Sequence, residues 1–275
     1  MSTLAVLVLV LMPGANASVA AERGEPASTS STSSAPEPLT CLARHYNVRP
    51  MLQGGVWVAV LPDGRRLPFD DGKVKDFEQR LNAPDLKDVF LIPYRPGPIR
   101  AVQTENEDPG RVRVEALFTA TYGGPGKVAA EQVRIRFLGM PVRVHKKIAP
   151  ALARVADHLT LARKADPGLE RFLRRLSGGF AARKIAGTER TSAHAFGIAI
   201  DLDKSESDYW RWQKTKPLRW HNRFPQAIVD AFEAEGFIWG GRWYHYDTMH
   251  FEYRPELFGP PCRAPISVLS DKRPR

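Results

Sequence analysis

Ser192 to Asp203, SAHAFGIAIDLD, constrains this chain more than any other stretch. Ile198, Ile200 and Leu202 fall on one face of a strand, and Ala199, Asp201 and Asp203 on the other. Gly197, just before the strand, lets the backbone bend or come close to a neighbour. His194 and Asp201 therefore bracket a turn and a buried strand, which directs an imidazole and a carboxylate toward one pocket. An imidazole and a carboxylate are two of the three protein ligands of a catalytic zinc site, whose fourth position is left to water. The same pair also reads as a histidine packed at a strand start and an aspartate capping a turn. A metal site needs a third ligand from elsewhere in the chain.

The stretch from Trp239 to Tyr253, WGGRWYHYDTMHFEY, supplies a candidate. Met249, Phe251 and Tyr253 alternate with His250 and Glu252, predicting a second strand with one apolar face. His250 lies opposite the core residues, as Asp201 does on its own strand. Asp247, three residues earlier, falls in the turn leading in. With His250 as third ligand, Asp247 is placed to reach a zinc-activated water and act as general base.

These two stretches closely resemble the motifs of the zinc D-alanyl-D-alanine carboxypeptidases, the VanY-like M15 peptidases. Their pattern is S-x-H-x(6)-D followed by carboxylate-x-x-H. The resemblance extends to EDPGRVRVEALFTATYG, GGFAARKIAGTERTSAHAFG and MHFEYRPEL, and so covers most of residues 90–258. It implies zinc ligands at His194, Asp201 and His250 and a catalytic carboxylate at Asp247. It also implies a transition-state-stabilising arginine at Arg183, with Lys184 and Arg190 close by. The implied fold is α+β of the Hedgehog/DD-peptidase kind, a small antiparallel sheet carrying the zinc site with helices packed on one side. The implied substrate is a peptidoglycan stem peptide, cut either at D-Ala-D-Ala by a carboxypeptidase or at L-Ala-D-Glu by an endopeptidase. The same fold occurs in metal-containing binding modules without hydrolysis, for which a retained Asp247 has no use. Ser192 reads equally as a substrate contact or as a brace for the turn. Trp243 and His245 read as cleft walls or as packing, and Glu252 as a group orienting a ligand histidine or as a surface pair.

The remaining sequence sets the context. Forty Lys and Arg against thirty Asp and Glu give a formal charge of +10. The basic residues are scattered rather than clustered, which speaks against nucleic-acid binding and suits a polyanionic cell-wall partner. Residues 1–20 carry no charged side chain, and the apolar run Leu4 to Met12 is too short to span a bilayer. A secretory signal peptide, and hence export to the periplasm, cell envelope or medium, is the expectation. Residues 21–40, rich in Ser, Thr and Pro, read as a disordered linker. Residues 41–265 read as one monomeric domain, followed by a tail at 266–275. Cys41 and Cys262 flank that domain and, in an exported chain, are expected to form a disulfide.

Scaffold elements are also legible. Val56 to Phe69 reads as a hairpin closed on Asp63-Gly64. Residues 133–137 and 142–145 read as strands, and Ile148 to Lys164 as an amphipathic helix. A second helix is expected from Pro167, with Leu169, Phe172 and Leu176 on one stripe and Gly178-Gly179 at its end. After the Asp108-Pro109-Gly110 turn, Arg111, Arg113 and Glu115 alternate with Val112 and Val114, which reads by default as a solvated strand face and, as the lesser alternative, as a ligand contact.

Overall fold

The computed structural model describes residues 34–124 and 126–258. The segments read as signal peptide and tail, most of the stretch read as linker, and Cys262 lie outside the described residues. From Ala35 onward the described residues cluster as one unit. No helix among them is long and apolar enough to cross a membrane.

The first helix, α1 (Glu37–His45), starts inside the stretch read as linker. Glu37 in its first turn and Arg44 and His45 in its last complement the helix dipole. Leu39 and Leu42, one turn apart, are fully buried with Cys41 between them. Three short antiparallel strands follow: β1 (Arg49–Gln53), β2 (Val56–Val60) and β3 (Arg66–Pro68). The expected hairpin is β2–β3. The added strand β1 is joined to β2 by Gly54-Gly55, whose φ values of 55° and 80° provide the left-handed pair that a two-residue hairpin turn requires. Helix α2 (Phe77–Asn82) begins on a capping box formed by Asp76 and Gln79.

No strand forms at residues 111–115, where one was expected; helix α3 (Glu115–Tyr122) begins at the last of them. Residues 111–114 form no regular element, with Val114 extended at the helix start. Beyond them Leu117, Phe118, Thr121 and Tyr122 bury one helical face, and that burial overrides the short alternation before it. Helix α4 (Lys127–Ala130) leads into the hairpin of β4 (Gln132–Phe137) and β5 (Met140–His145). Helix α5 (Ala149–Ala165) matches its predicted span and buries Leu152, Val155 and Leu159.

The helix expected from Pro167 is shorter than its periodicity implies. A 3-10 turn at Pro167–Leu169 runs into α6 (Glu170–Leu173), and Leu176–Gly178 is then a strand, β6. Leu176 and Gly178 pair with Leu202 and Asp201 of β7 (Ala199–Leu202). Those backbone bonds to a strand distant in sequence decide the segment. Helix α7 (Gln226–Glu233), β8 (Phe237–Trp239) and β9 (His250–Tyr253) complete the order.

The central sheet runs β6-β7-β9-β8, antiparallel throughout. Opposed residues share a face, so the register separates two surfaces. Ile200, Phe251 and Trp239 lie in one row, and Gly178, Asp201 and His250 in a row on the other face. Phe232 of α7 stacks on Phe251 at 3.8 Å between ring centroids and 18° between planes. Burying one such aromatic contributes about 2 kcal/mol or more. The helices thus cover the apolar face, leaving the other to build a site. The architecture is α+β with small antiparallel sheets, as expected at that level.

Candidate metal centre

Three side chains converge on the polar face of the central sheet. Asp201 and His250 sit opposite each other on β7 and β9. His194 comes from the 3-10 turn Ala193–Phe196 just before β7. Ser192 caps that turn, its hydroxyl accepting from the His194 N–H at 3.3 Å. Gly197 ends it at φ 69°, and a Cβ there would lie 2.8 Å from the His145 backbone nitrogen, a fit that requires glycine. Ligand atoms of His194, Asp201 and His250 all lie within 4.8 Å of one another.

The hydrogen bonds around these groups orient them inward. His194 Nδ1 is 2.8 Å from the Gly179 carbonyl and donates to it, leaving the Nε2 lone pair facing Asp201 Oδ2 at 3.1 Å. That contact is not aligned as a hydrogen bond, so the buried Nε2 has no hydrogen-bond partner. His250 faces Glu252 Oε2 with Nε2 at 3.3 Å and Asp201 Oδ1 with Nδ1 at 3.0 Å. One carboxylate therefore meets two imidazole nitrogens, each imidazole anchored through its other nitrogen. An outer hydrogen bond of this kind fixes the tautomer of a metal-ligating histidine. Two imidazoles and a carboxylate, with an orphaned nitrogen among them, fit a zinc ion. Gly178 is part of the fit, because a Cβ there would sit 2.7 Å from Asp201 Oδ2 and 3.2 Å from His194 Cε1.

Electrostatics tie the three together in the protein alone. Burial opposes ionisation of Asp201, but its attraction to His194 and its close contacts with both histidines hold its pKa well below the usual carboxylate range. Burial likewise lowers the His250 pKa, while the hydrogen bonds with Asp201 and Glu252 outweigh it and raise it to about 10. Glu252 is fully buried and paired with Arg113 at 2.8 Å, so it orients His250 rather than forming a surface pair.

Asp247 stands beside this cluster on the turn before β9. Its backbone N–H donates to the Gly240 carbonyl at 3.0 Å, and a Cβ on Gly240 would come within 2.4 Å of the Asp247 carbonyl. Burial, with added repulsion from Asp201, pushes the Asp247 carboxyl up to about 6. Its Oδ1 is buried without a hydrogen-bond partner.

Arg183, Ser192, Trp243 and His245 line the same cleft as these groups, a cavity of about 340 Å³. Ser192 braces the His194 turn from the cleft wall. Trp243 donates through Nε1 to the Pro109 carbonyl at 2.7 Å, with its ring 5.7 Å from that of His250. His245 is held by Asp108, its Nδ1 at 2.6 Å and its backbone N–H at 2.9 Å. Asp108 is itself buried and paired with Arg111 at 2.7 Å.

The turn at residues 108–110 thus backs two of the cleft walls, Trp243 and His245, and Arg111 and Arg113 just after it line the cleft itself. The alternation of these arginines with the buried Val112 and Val114 was the available signal, and it leaves open which face is solvated. Arg190, Tyr209 and Trp210 also line the cleft and were not identified as site residues. Only Arg190 carried a signal, its closeness to Arg183 in sequence.

Residues 186–253 match the family model described as D-alanyl-D-alanine carboxypeptidase, and the match supports the M15 peptidase resemblance across this part of the chain. It includes His194, Asp201, Asp247 and His250 and stops short of Arg183. No curated protein and no solved structure matches the chain.

Proposed function

We propose that this M15-type chain is a zinc-dependent D-alanyl-D-alanine carboxypeptidase acting on stem peptides of the bacterial cell wall. The observation that carries the reading is the carboxylate of Asp201 between two inward-facing imidazole nitrogens, with the unpartnered Oδ1 of Asp247 alongside. His194, Asp201 and His250 would hold the zinc, which when bound supplies Lewis acidity to the substrate carbonyl and to the attacking water.

Asp247 takes the proton of the attacking water at its carboxylate and returns it to the leaving amine nitrogen. Its raised pKa of about 6 suits both roles near neutral pH. Arg183 donates to the carbonyl oxygen as negative charge gathers there. Trp243 and His245 wall the cleft and limit water around the reacting bond. Ser192 fixes the turn that aims His194. Glu252 holds the His250 ring in place through Nε2. Asp247 Oδ1 has no hydrogen-bond partner among the described residues, which favours hydrolysis over a metal-containing binding module.

The reading includes export by the N-terminal segment, a monomeric protein, and a bridge between Cys41 and Cys262. The test is mass spectrometry of muropeptides incubated with the zinc-loaded protein. Pentapeptide stems should lose their terminal D-Ala. Cleavage after L-Ala would make the chain an endopeptidase of the same site, and intact stems would overturn the peptidase reading. Metal analysis should find one zinc per chain and less than a tenth of that in His250→Ala.

A further inference from the structure

The segment from Arg183 to Ser192 folds back on itself beside the cleft. Lys184 bridges Thr191, the Ile185 N–H donates to the Arg190 carbonyl at 2.9 Å, and the Ser192 N–H donates to the Arg183 carbonyl at 3.1 Å. Alternation along this ladder divides its side chains. Lys184 and Thr191 take one side, where they meet Glu189 and Glu115. Arg183, Ile185, Arg190 and Ser192 all line the cleft. One short hairpin therefore presents two arginines to the substrate.

Arg190 differs from the cations around it. Arg111 is paired with Asp108 and Arg113 with Glu252. Arg190 forms no ion pair among the described residues, and its Nε is buried without a hydrogen-bond partner. Buried polar groups are nearly always satisfied, so an orphaned guanidinium nitrogen in a ligand cleft marks a place for an anion that the chain does not supply. Burial first, then repulsion from Arg113 and Arg111, lowers the pKa of this guanidinium to about 10, against a weaker attraction from Glu78, which makes no ion pair with it. A bound anion relieves that repulsion.

These three arginines also border a second cavity of about 250 Å³ adjoining the first, with Leu81, Phe118 and Phe196 among its walls. The combination is a cationic mouth over a small recess of mixed lining, in which Glu115 is engaged by Thr191. It suits a short apolar residue that ends in a carboxylate. The flat guanidinium meets a carboxylate through two parallel hydrogen bonds, a geometry that lysine does not reproduce.

We propose that Arg190, backed by Arg113 and Arg111, holds the free C-terminal carboxylate of the peptide substrate and so selects for cleavage at a chain end. The inference rests on the peptidase reading and deepens it. Arg183 serves the reacting carbonyl while Arg190 serves the end of the chain. Arg111 and Arg113 are committed to buried carboxylates and supply field rather than the contact itself.

The test compares an N-acetylated peptide ending in D-Ala-D-Ala with the same peptide as its C-terminal amide. Zinc-loaded wild type should prefer the acid by about 10- to 100-fold in kcat/KM, the usual range for a lost charged hydrogen-bond partner. In Arg190→Gln the preference should collapse to within about twofold, carried mainly by KM, and Arg190→Lys should recover part of it. Binding is measured separately by calorimetry on the zinc-loaded Asp247→Asn protein with and without Arg190→Gln. Tighter binding of the acid than of the amide, lost with Arg190→Gln, supports the site. Equal binding of the two peptides, or an acid preference that survives Arg190→Gln, overturns it. Selective binding without hydrolysis of either peptide would sink the peptidase reading and leave the carboxylate site standing. Hydrolysis of both peptides without preference would do the reverse.

Discussion

Asp247 carries the sharpest functional expectation, because its carboxylate lies beside the candidate ligand set and its Oδ1 has no hydrogen-bond partner among the described residues. Asp247→Asn should keep its zinc and its fold and lose about 10²-fold or more in turnover, the scale of a removed general base. Loss of zinc in that variant would make Asp247 a ligand and redraw the roles. Arg183→Ala should also keep zinc and lose a comparable factor in kcat, measured on the same peptide. His145, outside the site, gives a stability expectation. It is buried, with Nε2 at 3.1 Å from the Tyr122 carbonyl and Nδ1 accepting from the Lys147 N–H at 3.1 Å. Burial lowers its pKa, so its neutral form is the folded form. The unfolded chain then binds a proton more readily, and stability falls as pH drops below about 6.5. The urea midpoint should be lower at pH 5.5 than at pH 8, and His145→Gln should shrink that difference.

Strand β6 shows how an element can be defined by what it leaves out. Gly178 sits opposite Asp201, and the missing side chain opens the space that Asp201 and His194 occupy. Gly178→Ala should displace the Asp201 carboxylate and weaken zinc affinity about tenfold, at the lower end of what disturbed ligand support costs. Competition with a chromophoric chelator reads this directly. An unchanged affinity would show that Asp201 has room to move. The other face of the sheet relies on ordinary packing, with Phe232 of α7 on Phe251, one residue from the proposed ligand His250.

Long-range charge pairing ties the N-terminal helix to the site. Tyr46, just past α1, donates to Glu256 Oε1 at 2.8 Å. Arg254 reaches Glu256 through Nε and Glu252 Oε1 at 3.3 Å, and Glu252 meets His250. Glu252, Arg254 and Glu256 are fully buried, so removing one member strands the others without water. Glu256→Ala should destabilise the protein by about 3 kcal/mol or more in chemical denaturation. A loss below about 1 kcal/mol would mean that solvent reaches Arg254. Cys41 lies on the same helix, and thiol titration of the denatured, unreduced protein should find no free thiol if the proposed bridge to Cys262 forms.

Whatever depended on near neighbours was readable from the chain itself. The period-two alternation of 198–202 and 249–253 put Asp201 and His250 on the polar faces of two strands. The α5 stripe and the Asp-Gly hairpin are equally local, fixed by side-chain period and by turn chemistry. Pairing of distant segments was not readable. Leu176 and Gly178 continue a helical stripe in sequence yet form strand β6, because β7 supplies their backbone partners. Arg111 and Arg113 alternate like a solvated strand yet line the cleft, because Asp108 and Glu252, the latter 139 positions away from Arg113, bind their guanidiniums. The repulsion that Arg190 feels from Arg113 and Arg111 likewise exists only because the fold brings the three together. A one-dimensional pattern gives the face on which a side chain lies. Which charges meet across that face is decided only when the strands pair.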